Sequence, residues 1–226
     1  MLKYLINLIF PKLCMGCNSL LLSNEAVICS ECNHNLPYTN HFLLKNNDTT
    51  KKFYGVIPVE FSASMLYFYQ KGIVQSLIHN LKYKNHQEIG TLLGKWYAVD
   101  LKKVIEMKTV TEIIPVPLHK KRLEERGYNQ VTTFCEVLAT ELQIAYNPSL
   151  LYRNHYSKTQ TKKDKESRKE ITDTLFDVNF NESDANKHFL LIDDVMTSGA
   201  TIEACAKALL KIPNSKVSVV TIAYTV

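Results

Sequence analysis

Residues 189–201 read Phe-Leu-Leu-Ile-Asp-Asp-Val-Met-Thr-Ser-Gly-Ala-Thr, and this stretch decides the fold class. Its leading apolar residues, Phe189–Ile192, form a run that is too short for a helix and is bounded by charge. Such a run is typical of a strand buried on both faces of a parallel sheet. Two carboxylates, Asp193 and Asp194, follow where this strand is predicted to end. The small residues after them predict a turn that leads into a helix.

The turn Thr197–Thr201 has the composition of a phosphate site. Backbone N–H groups at a helix start lack intrahelical partners and carry the positive end of the helix dipole, so an anion fits there. The hydroxyl groups of the turn are also suited to cap the helix. The stretch resembles the phosphoribosyl pyrophosphate (PRPP) motif of type I phosphoribosyltransferases, in which acids before the turn bind sugar hydroxyls. An ordinary strand–turn–helix corner with a polar cap is the alternative interpretation.

Composition describes an ordinary globular protein of 226 residues with 46% hydrophobic and 22% charged residues. The formal net charge of +5 permits an anionic partner without requiring one. No apolar stretch reaches the length of a membrane span. Residues 1–10 lack a small-residue cleavage site and are predicted to form a short amphipathic helix that Pro11 stops, which favours the cytoplasm.

Four of the six cysteines occur as two pairs with the spacing of metal-binding knuckles, and the pairs are separated by eleven residues. Two such knuckles complete one tetrahedral thiolate site, so the pattern predicts a structural Zn²⁺ site. His34 is the alternative for one of the ligands. A closed site of this kind supplies folding energy to a segment with few apolar residues. The predicted metal ligands are Cys14, Cys17, Cys29 and Cys32.

The chain is predicted to divide into residues 1–38, an N-terminal helix and zinc ribbon, residues 39–52, a polar linker, and residues 53–226, the main domain. Strands are expected at about 61–67, 111–115, 149–152, 188–192 and 217–223. They alternate for the most part with helical patterns, which predicts an α/β fold with a parallel sheet flanked by helices. Ligands of such sheets bind beyond the carboxyl ends of the strands.

A second candidate anion site follows the predicted strand at 111–115. Prolines 115 and 117 end that strand, and a basic segment with Arg122 and Arg126 comes next. The planar guanidinium group binds two phosphate oxygens at once, which favours a pyrophosphate site. The alternative is that these arginines pair with Glu124 and Glu125 on a surface turn. Lys82 and Lys84 at the end of an earlier helix are expected only to complement its dipole.

The stretch 153–168 is rich in lysine and arginine and lacks apolar periodicity. It is predicted to be either a solvated segment or a loop that contacts an anion. Taken in order, the four cysteines, the Pro-Val-Pro strand end, Arg-x3-Arg-Gly-Tyr-Asn-Gln, this basic stretch and the Asp-Asp loop look like the ComF family (ComFC type) of competence-associated phosphoribosyltransferase-like proteins. The phosphoribosyl domain of glutamine amidophosphoribosyltransferases is also similar, but those enzymes carry a glutaminase domain with an N-terminal nucleophilic cysteine, which this chain lacks.

The resemblance implies a type I phosphoribosyltransferase-like fold that binds PRPP with Mg²⁺. It implies that Asp193 and Asp194 hold the ribose hydroxyls and, with Arg126, form the catalytic set. The 5-phosphate residues would be Thr197, Ser198, Gly199, Ala200 and Thr201, and the pyrophosphate side would include Pro117 and Arg122. Residues 152–168 would be the loop that closes over the ligand, with Gln160 and Arg168 as candidates.

The expected function is that of a PRPP-binding protein of DNA uptake, with phosphoribosyl transfer and pyrophosphate release as an open hypothesis. Single-stranded DNA and a DNA-uptake helicase are the expected partners. The alternatives are an amidophosphoribosyltransferase-like enzyme of nucleotide metabolism and a non-catalytic adaptor that handles single-stranded DNA. Purine-salvage enzymes usually have an acid at the position of Thr197, so the threonine makes nucleobase salvage the weaker interpretation.

Overall fold

The computed structural model describes residues 11–154 and 175–226 of the chain. Five parallel strands form the main sheet in the order β1-β7-β6-β2-β3, and β4 and β5 form a separate antiparallel pair. This arrangement confirms the predicted parallel α/β sheet. The strands are β1 Ser62–Phe68, β2 Glu112–Pro115, β3 Ala145–Tyr146, β4 Leu151–Arg153, β5 Phe176–Val178, β6 His188–Met196 and β7 Lys216–Thr225.

Helices cover both faces of the main sheet. They are α1 Ser30–His34, α2 Asp48–Lys51, α3 Ile73–Tyr83, α4 Glu88–Leu101, α5 Lys120–Arg126, α6 Thr132–Leu142 and α7 Ala200–Leu209. Short 3-10 turns occur at His41–Leu43, Ile105–Thr109 and Glu182–Asp184.

The central strand β6 is apolar because it is covered on both faces. Leu190 and Ile192 pack in the core formed with α3, α4 and α6. Phe189 and Leu191 alternate with them and pack in the core formed with α7 and the β4–β5 pair. All four side chains are fully buried. The run that predicted a two-sided buried strand therefore joins both halves of the core.

The strand predicted at 149–152 does not belong to the main sheet. The structure has β4 there, at Leu151–Arg153, and β4 pairs antiparallel with β5 beside α7. The edge of the main sheet is instead β3, which pairs with β2 through Ala145 and Tyr146. The chain leaves the sheet at Asn147, whose side chain accepts the N–H groups of Ser149 and Leu150 in a turn. Pro148 cannot donate to a ladder, which also ends the pairing.

The sheet order places a switch point between β2 and β6. From β2 the chain moves outward to β3, whereas β6 lies on the other side of β2 and is followed further out by β7. The crevice beyond the carboxyl ends of two such strands is the usual ligand site of an open α/β sheet. Both predicted anion loops, after β2 and after β6, begin at this crevice.

Residues 37–53, which include the predicted linker at 39–52, pack along β1. The N–H of Thr39 donates to the carbonyl of Met65 at 3.1 Å, and the N–H of Tyr67 donates to the carbonyl of Pro37 at 2.8 Å. Asn47 is 3% exposed, and its side chain donates to the carbonyls of Leu44 and Ser62, both at 2.8 Å. The segment thus covers the outer edge of β1. The division of the chain at residues 38 and 52 stays a prediction.

Among the described residues, no helix has the length and apolar character that a membrane crossing requires. The predicted N-terminal helix at 1–10 lies outside the described residues.

We expect Asn47→Ala to lower the free energy of unfolding by about 2 to 4 kcal/mol, because it removes a helix cap and leaves buried carbonyl groups without donors. The cap is the 3.0 Å bond from the N–H of Thr50 to Oδ1 of Asn47. Urea unfolding followed by circular dichroism measures the change. The exposed neighbour Asn46 is the control, and a loss as small as that of Asn46→Ala would contradict the role assigned to Asn47.

Candidate ligand site and metal centre

The loop after β6 opens the start of α7 to solvent. Gly199 is the N-cap residue of α7, and its φ of +85° is a conformation that glycine adopts without strain. Gly199 has no side chain to cap the helix, and of the expected hydroxyl groups Oγ of Ser198 accepts the N–H of Ala200 at 3.4 Å. Thr197, Ser198 and Thr201 are exposed. The first N–H groups of α7 are therefore available to an anion.

The two acids lie inside the strand rather than after it, since β6 continues to Met196. The carboxylate of Asp194 is buried, with Oδ2 3.0 Å from Nζ of Lys82 and 2.5 Å from Nε2 of Gln130, which donates to it. Asp193 is only half-buried, and its Oδ1 accepts the N–H of Asp194 at 2.8 Å. Asp194 is thus satisfied by protein groups, whereas Asp193 is the more accessible acid.

Burial and the neighbouring Asp194 carboxylate raise the pKa of Asp193 to about 8, against the opposing effects of the Asp194 N–H and Lys82. Raised carboxyl pKa values of this kind concentrate at functional sites, although structural ion pairs also produce them. A ligand that brings a cation or hydroxyl donors to Asp193 would favour its ionised form.

Lys82 is a site residue that the sequence analysis did not assign. Its position could have been inferred from the sequence, because two helices, α3 and α4, are placed between β1 and β2. The second helix must return the chain to the start of β2, so α4 begins near the carboxyl edge of the sheet. The end of α3, with Lys82 and Lys84, therefore lies at that edge beside Asp194.

The basic segment after β2 forms the short helix α5, which is followed by a turn that several hydrogen bonds hold in place. Arg126 donates to Oε1 of Gln130, and the hydroxyl of Tyr128 donates to the carbonyl of Leu81. Nδ2 of Asn129 donates to the carbonyl of Val116 at 2.9 Å. These bonds fix the turn to the end of α3 and to the end of β2.

A cleft of about 590 Å³ lies between α5 and the end of α3. The two glutamates of α5 approach lysines, with Glu124 3.9 Å from Lys120 and Glu125 3.8 Å from Lys121. In the part of the chain that the structure describes, these glutamates form no ion pair with Arg122 or Arg126, in contrast to the alternative interpretation. Arg126 lies over the ring of Tyr83 at 5.5 Å. Four cations and one acid line the cleft, together with Tyr83, Asn85 and Tyr128: Lys82, Lys84, Arg122, Arg126 and Glu125.

The structure thus brings Arg122 and Arg126 to one cleft and connects Arg126 through Gln130 to Asp194. Pro117 is half-buried after β2. Gln160 and Arg168 lie outside the described residues. Lys52 was not predicted as a site residue; a β-carbon on Gly199 would lie 3.7 Å from its Cβ, and its Nζ lies over the ring of Tyr224 at 5.7 Å.

The four predicted metal ligands form one group. Their Sγ atoms all lie within 4.8 Å of one another, and the residues are Cys14, Cys17, Cys29 and Cys32. Four thiolates at this spacing can hold one tetrahedral ion. Backbone N–H groups surround the sulfurs: that of Cys29 lies 3.2 Å from Sγ of Cys14, and that of Cys32 lies 3.4 Å from Sγ of Cys29. Such contacts orient metal ligands.

Gly16 lies inside the first knuckle, where there is no room for a side chain. A β-carbon there would be 2.9 Å from Sγ of Cys32 and 2.9 Å from Cγ2 of Ile73 in α3. The glycine therefore allows the two knuckles to close against each other and against α3. Cys14, Cys29 and Cys32 are buried in the same core as α3.

No protein-family model matches the chain. It is 26% identical over 200 residues to Competence protein ComFC of Bacillus subtilis (strain 168), a match that covers 88% of this chain and 78% of that protein. It is 27% identical over 138 residues to DNA utilization protein YhgH of Shigella flexneri, which covers 60% of each. These relatives confirm the resemblance to the ComF family.

Among solved structures, adenine phosphoribosyltransferase of Leishmania tarentolae is similar with 14% identity and a TM-score of 0.38, covering 67% of this chain and 74% of that one. Because the TM-score is below 0.5, the fold class rests on the sheet order of the chain itself.

Asp193→Asn should stabilise the protein more at pH 8 than at pH 5. The folded state holds the proton of Asp193 up to about pH 8, whereas an unfolded aspartate loses it near pH 4, so the free energy of unfolding of the wild type falls as the pH rises between these values. Asparagine removes this dependence. The gain at pH 8 relative to pH 5 should be at least about 1 kcal/mol, measured by urea unfolding at both pH values.

Asp177→Asn is the control for this comparison. The N–H of Val178 and then Lys211 lower the pKa of Asp177, so its carboxylate is ionised at both pH values. Its effect should be equal at pH 5 and pH 8. The same equality for Asp193→Asn would contradict the raised pKa of Asp193.

Proposed function

We propose that the protein binds PRPP together with Mg²⁺ at the crevice between β2 and β6. The observation that carries the proposal is the placement of a cationic cleft and an exposed helix start on the two loops that flank this crevice, with Asp193 and Asp194 on β6. One site for a phosphate, one for a polyphosphate and an acid for hydroxyl groups match the three parts of a ribose 5-phosphate that carries pyrophosphate at C1.

The 5-phosphate is assigned to the start of α7. There the exposed hydroxyl groups of Thr197, Ser198 and Thr201 surround N–H groups at the positive end of the helix dipole. Lys52 has its Cβ beside Gly199 and its Nζ over the ring of Tyr224, and its side chain would have to turn toward α7 to contact this phosphate. The pyrophosphate is assigned to the cleft, where Arg122 and Arg126 provide planar donors for phosphate oxygens.

The two acids receive different roles. Asp193 accepts the ribose hydroxyls, because it is the more accessible of the two. Asp194 positions Lys82 and Gln130, which already occupy its Oδ2 atom. Mg²⁺ is commonly held by one or two carboxylates together with substrate phosphates, and these acids are the oxygen donors on β6 at this edge. The bound ion would supply charge neutralisation of the pyrophosphate.

Transfer would break the bond between C1 of the ribose and the pyrophosphate oxygen as an acceptor forms a new bond to C1. Lys82, Arg122 and Arg126 would stabilise the negative charge that develops on the pyrophosphate. Thr197 offers no carboxylate to deprotonate a nucleobase, so a salvage reaction is disfavoured. An amidophosphoribosyltransferase-like reaction, in which ammonia attacks C1, needs no such acid and is the second candidate.

Zn²⁺ is the ion that we assign to the four cysteines. Thiolate sulfur is a soft ligand, and a site in which protein fills all four ligand positions is closed to substrate, although Cys17 itself is exposed. The metal would therefore stabilise the fold of residues 12–36 rather than take part in transfer.

The setting that we propose is DNA uptake or utilisation in the cytoplasm. Its support is the names of the relatives, which are a competence protein and a DNA utilization protein. Binding of single-stranded DNA and docking on an uptake helicase stay predictions from the sequence.

Calorimetric titration with PRPP and Mg²⁺ tests the proposed function, and separate titrations with pyrophosphate and ribose 5-phosphate test its two halves. We expect Arg122→Gln to weaken pyrophosphate binding about tenfold, since a charge-assisted hydrogen bond contributes about 1.5 to 3 kcal/mol. Ribose 5-phosphate should bind this variant as it binds the wild type.

Lys120→Gln is the matched control, because it removes a cation of the same helix that does not line the cleft. Absence of PRPP binding to the wild type would refute the proposal. Equal loss from Lys120→Gln and Arg122→Gln would refute the assignment of the cleft. Release of pyrophosphate from PRPP, followed with an inorganic pyrophosphatase assay, tests transfer.

Gly16→Ala should weaken zinc binding about 10- to 100-fold, because its β-carbon would displace Cys32 or the backbone that orients the sulfurs. Competition with a chromogenic chelator measures the change. Gly55→Ala is the control, since a β-carbon at Gly55 would have no atom within 4 Å, and its positive φ of +70° makes the substitution strain the backbone without a steric clash. A normal zinc affinity in Gly16→Ala would contradict the packing described for the knuckles.

A further inference from the structure

Asn80 connects the four-cysteine group to the end of helix α3. Its side chain is 6% exposed, and Nδ2 donates to the carbonyl of Met15, inside the first knuckle, at 2.9 Å. Its own carbonyl accepts the N–H of Lys84 at 3.0 Å, which closes the last turn of α3. One residue thus bonds both to the knuckle and to the residue that follows α3.

The contact continues along the helix. Cys14, Cys29 and Cys32 are buried against Val74 and Leu77 of α3 in one core. The first residue of the helix, Ile73, lies at the point where a β-carbon on Gly16 would fall. The two knuckles therefore pack on α3 near its start, and Asn80 holds them again near its end.

The end of α3 supplies one wall of the cationic cleft. Lys82, Tyr83 and Lys84 line it, and Lys82 bonds to Asp194. A second cavity, of about 500 Å³, lies on the other side of the same turn and is lined by Met15, Asn80 and Lys84. A shift of the first knuckle would therefore reach the cleft through a single turn of helix.

We propose that Asn80 is a positioning residue that couples the metal-bound knuckles to anion binding in the cleft. The inference rests on the proposed function, because it takes pyrophosphate as the ligand of the cleft. A metal-bound knuckle holds the Met15 carbonyl in place, Asn80 transmits that position to the end of α3, and Lys82 and Lys84 then face the ligand. Coupling between two sites is reciprocal, so pyrophosphate strengthens metal retention by the same factor.

The experiment measures both directions in the full-length, zinc-loaded protein. Zinc release to an excess of chelator is followed with and without saturating pyrophosphate, and pyrophosphate affinity is measured by calorimetry. We expect pyrophosphate to reduce zinc release at equilibrium by about fivefold or more, as is usual for coupled sites. Asn80→Asp keeps the shape of the side chain and loses the donor to Met15. In this variant pyrophosphate should no longer reduce zinc release, and the affinity for pyrophosphate should fall by about the same fivefold factor.

Asn47→Ala is the matched control, because Asn47 is also a buried asparagine with several hydrogen bonds, but it donates to the carbonyls of His41, Leu44 and Ser62 and not to a cysteine knuckle. It should lower stability and leave the coupling intact. If the wild type binds pyrophosphate and zinc release does not change, the coupling is refuted without any variant. Equal coupling in Asn80→Asp and wild type refutes the role of Asn80. A wild type that binds no pyrophosphate refutes the proposed function instead.

Discussion

The buried carboxylate of Asp194 is the group on which the architecture of the crevice depends. A carboxylate in this position is costly unless charged and polar donors surround it, and here Lys82 and Gln130 provide them. The two donors come from different crossovers of the chain, one from the end of α3 and one from the turn before α6. The contacts of this carboxylate therefore hold both crossovers at the carboxyl end of β6. Removal of Lys82 would leave the buried charge without a cation, and removal of either donor would break a contact that holds one wall of the cleft.

Much of the fold could be predicted because its signals are local. Phe189–Ile192 is apolar because both of its faces are buried, and the cysteine spacing is a property of the knuckles themselves. Other features depend on contacts between distant residues. A lysine at the end of a helix looks the same in the sequence whether it complements the helix dipole or pairs with a distant acid. Only the path of the chain through α3 and α4 brings Lys82 to Asp194. Asp193 and Asp194 were expected after a strand, but pairing with β7 extends that strand to Met196.

Residues 39–52 show how composition alone misses packing. Asparagine, aspartate and threonine cluster in this segment, which is typical of loops. Here three of these side chains, Thr39, Asn47 and Thr49, are buried, and Thr49 bonds to His41 at 2.9 Å and to Ser64 at 3.0 Å. A polar residue that satisfies its donors and acceptors inside the protein has no sequence pattern that separates it from one in water. The strand β3 was also not predicted, because its two residues are too few to show the alternation of a strand.

The packing of residues 37–39 along β1 also bears on how the protein behaves in concentrated solution. An exposed edge strand with free N–H and carbonyl groups offers a template on which another polypeptide can add a strand, which is a common route to aggregation. The outer edge of the seven-residue strand β1 is occupied by an antiparallel bridge between Tyr38 and Leu66 and by the hydrogen bonds on either side of it. At the opposite edge, β3 has only two residues. The main sheet thus leaves little edge for intermolecular pairing. The segment that joins the cysteine knuckles to the α/β body therefore also limits aggregation by strand addition.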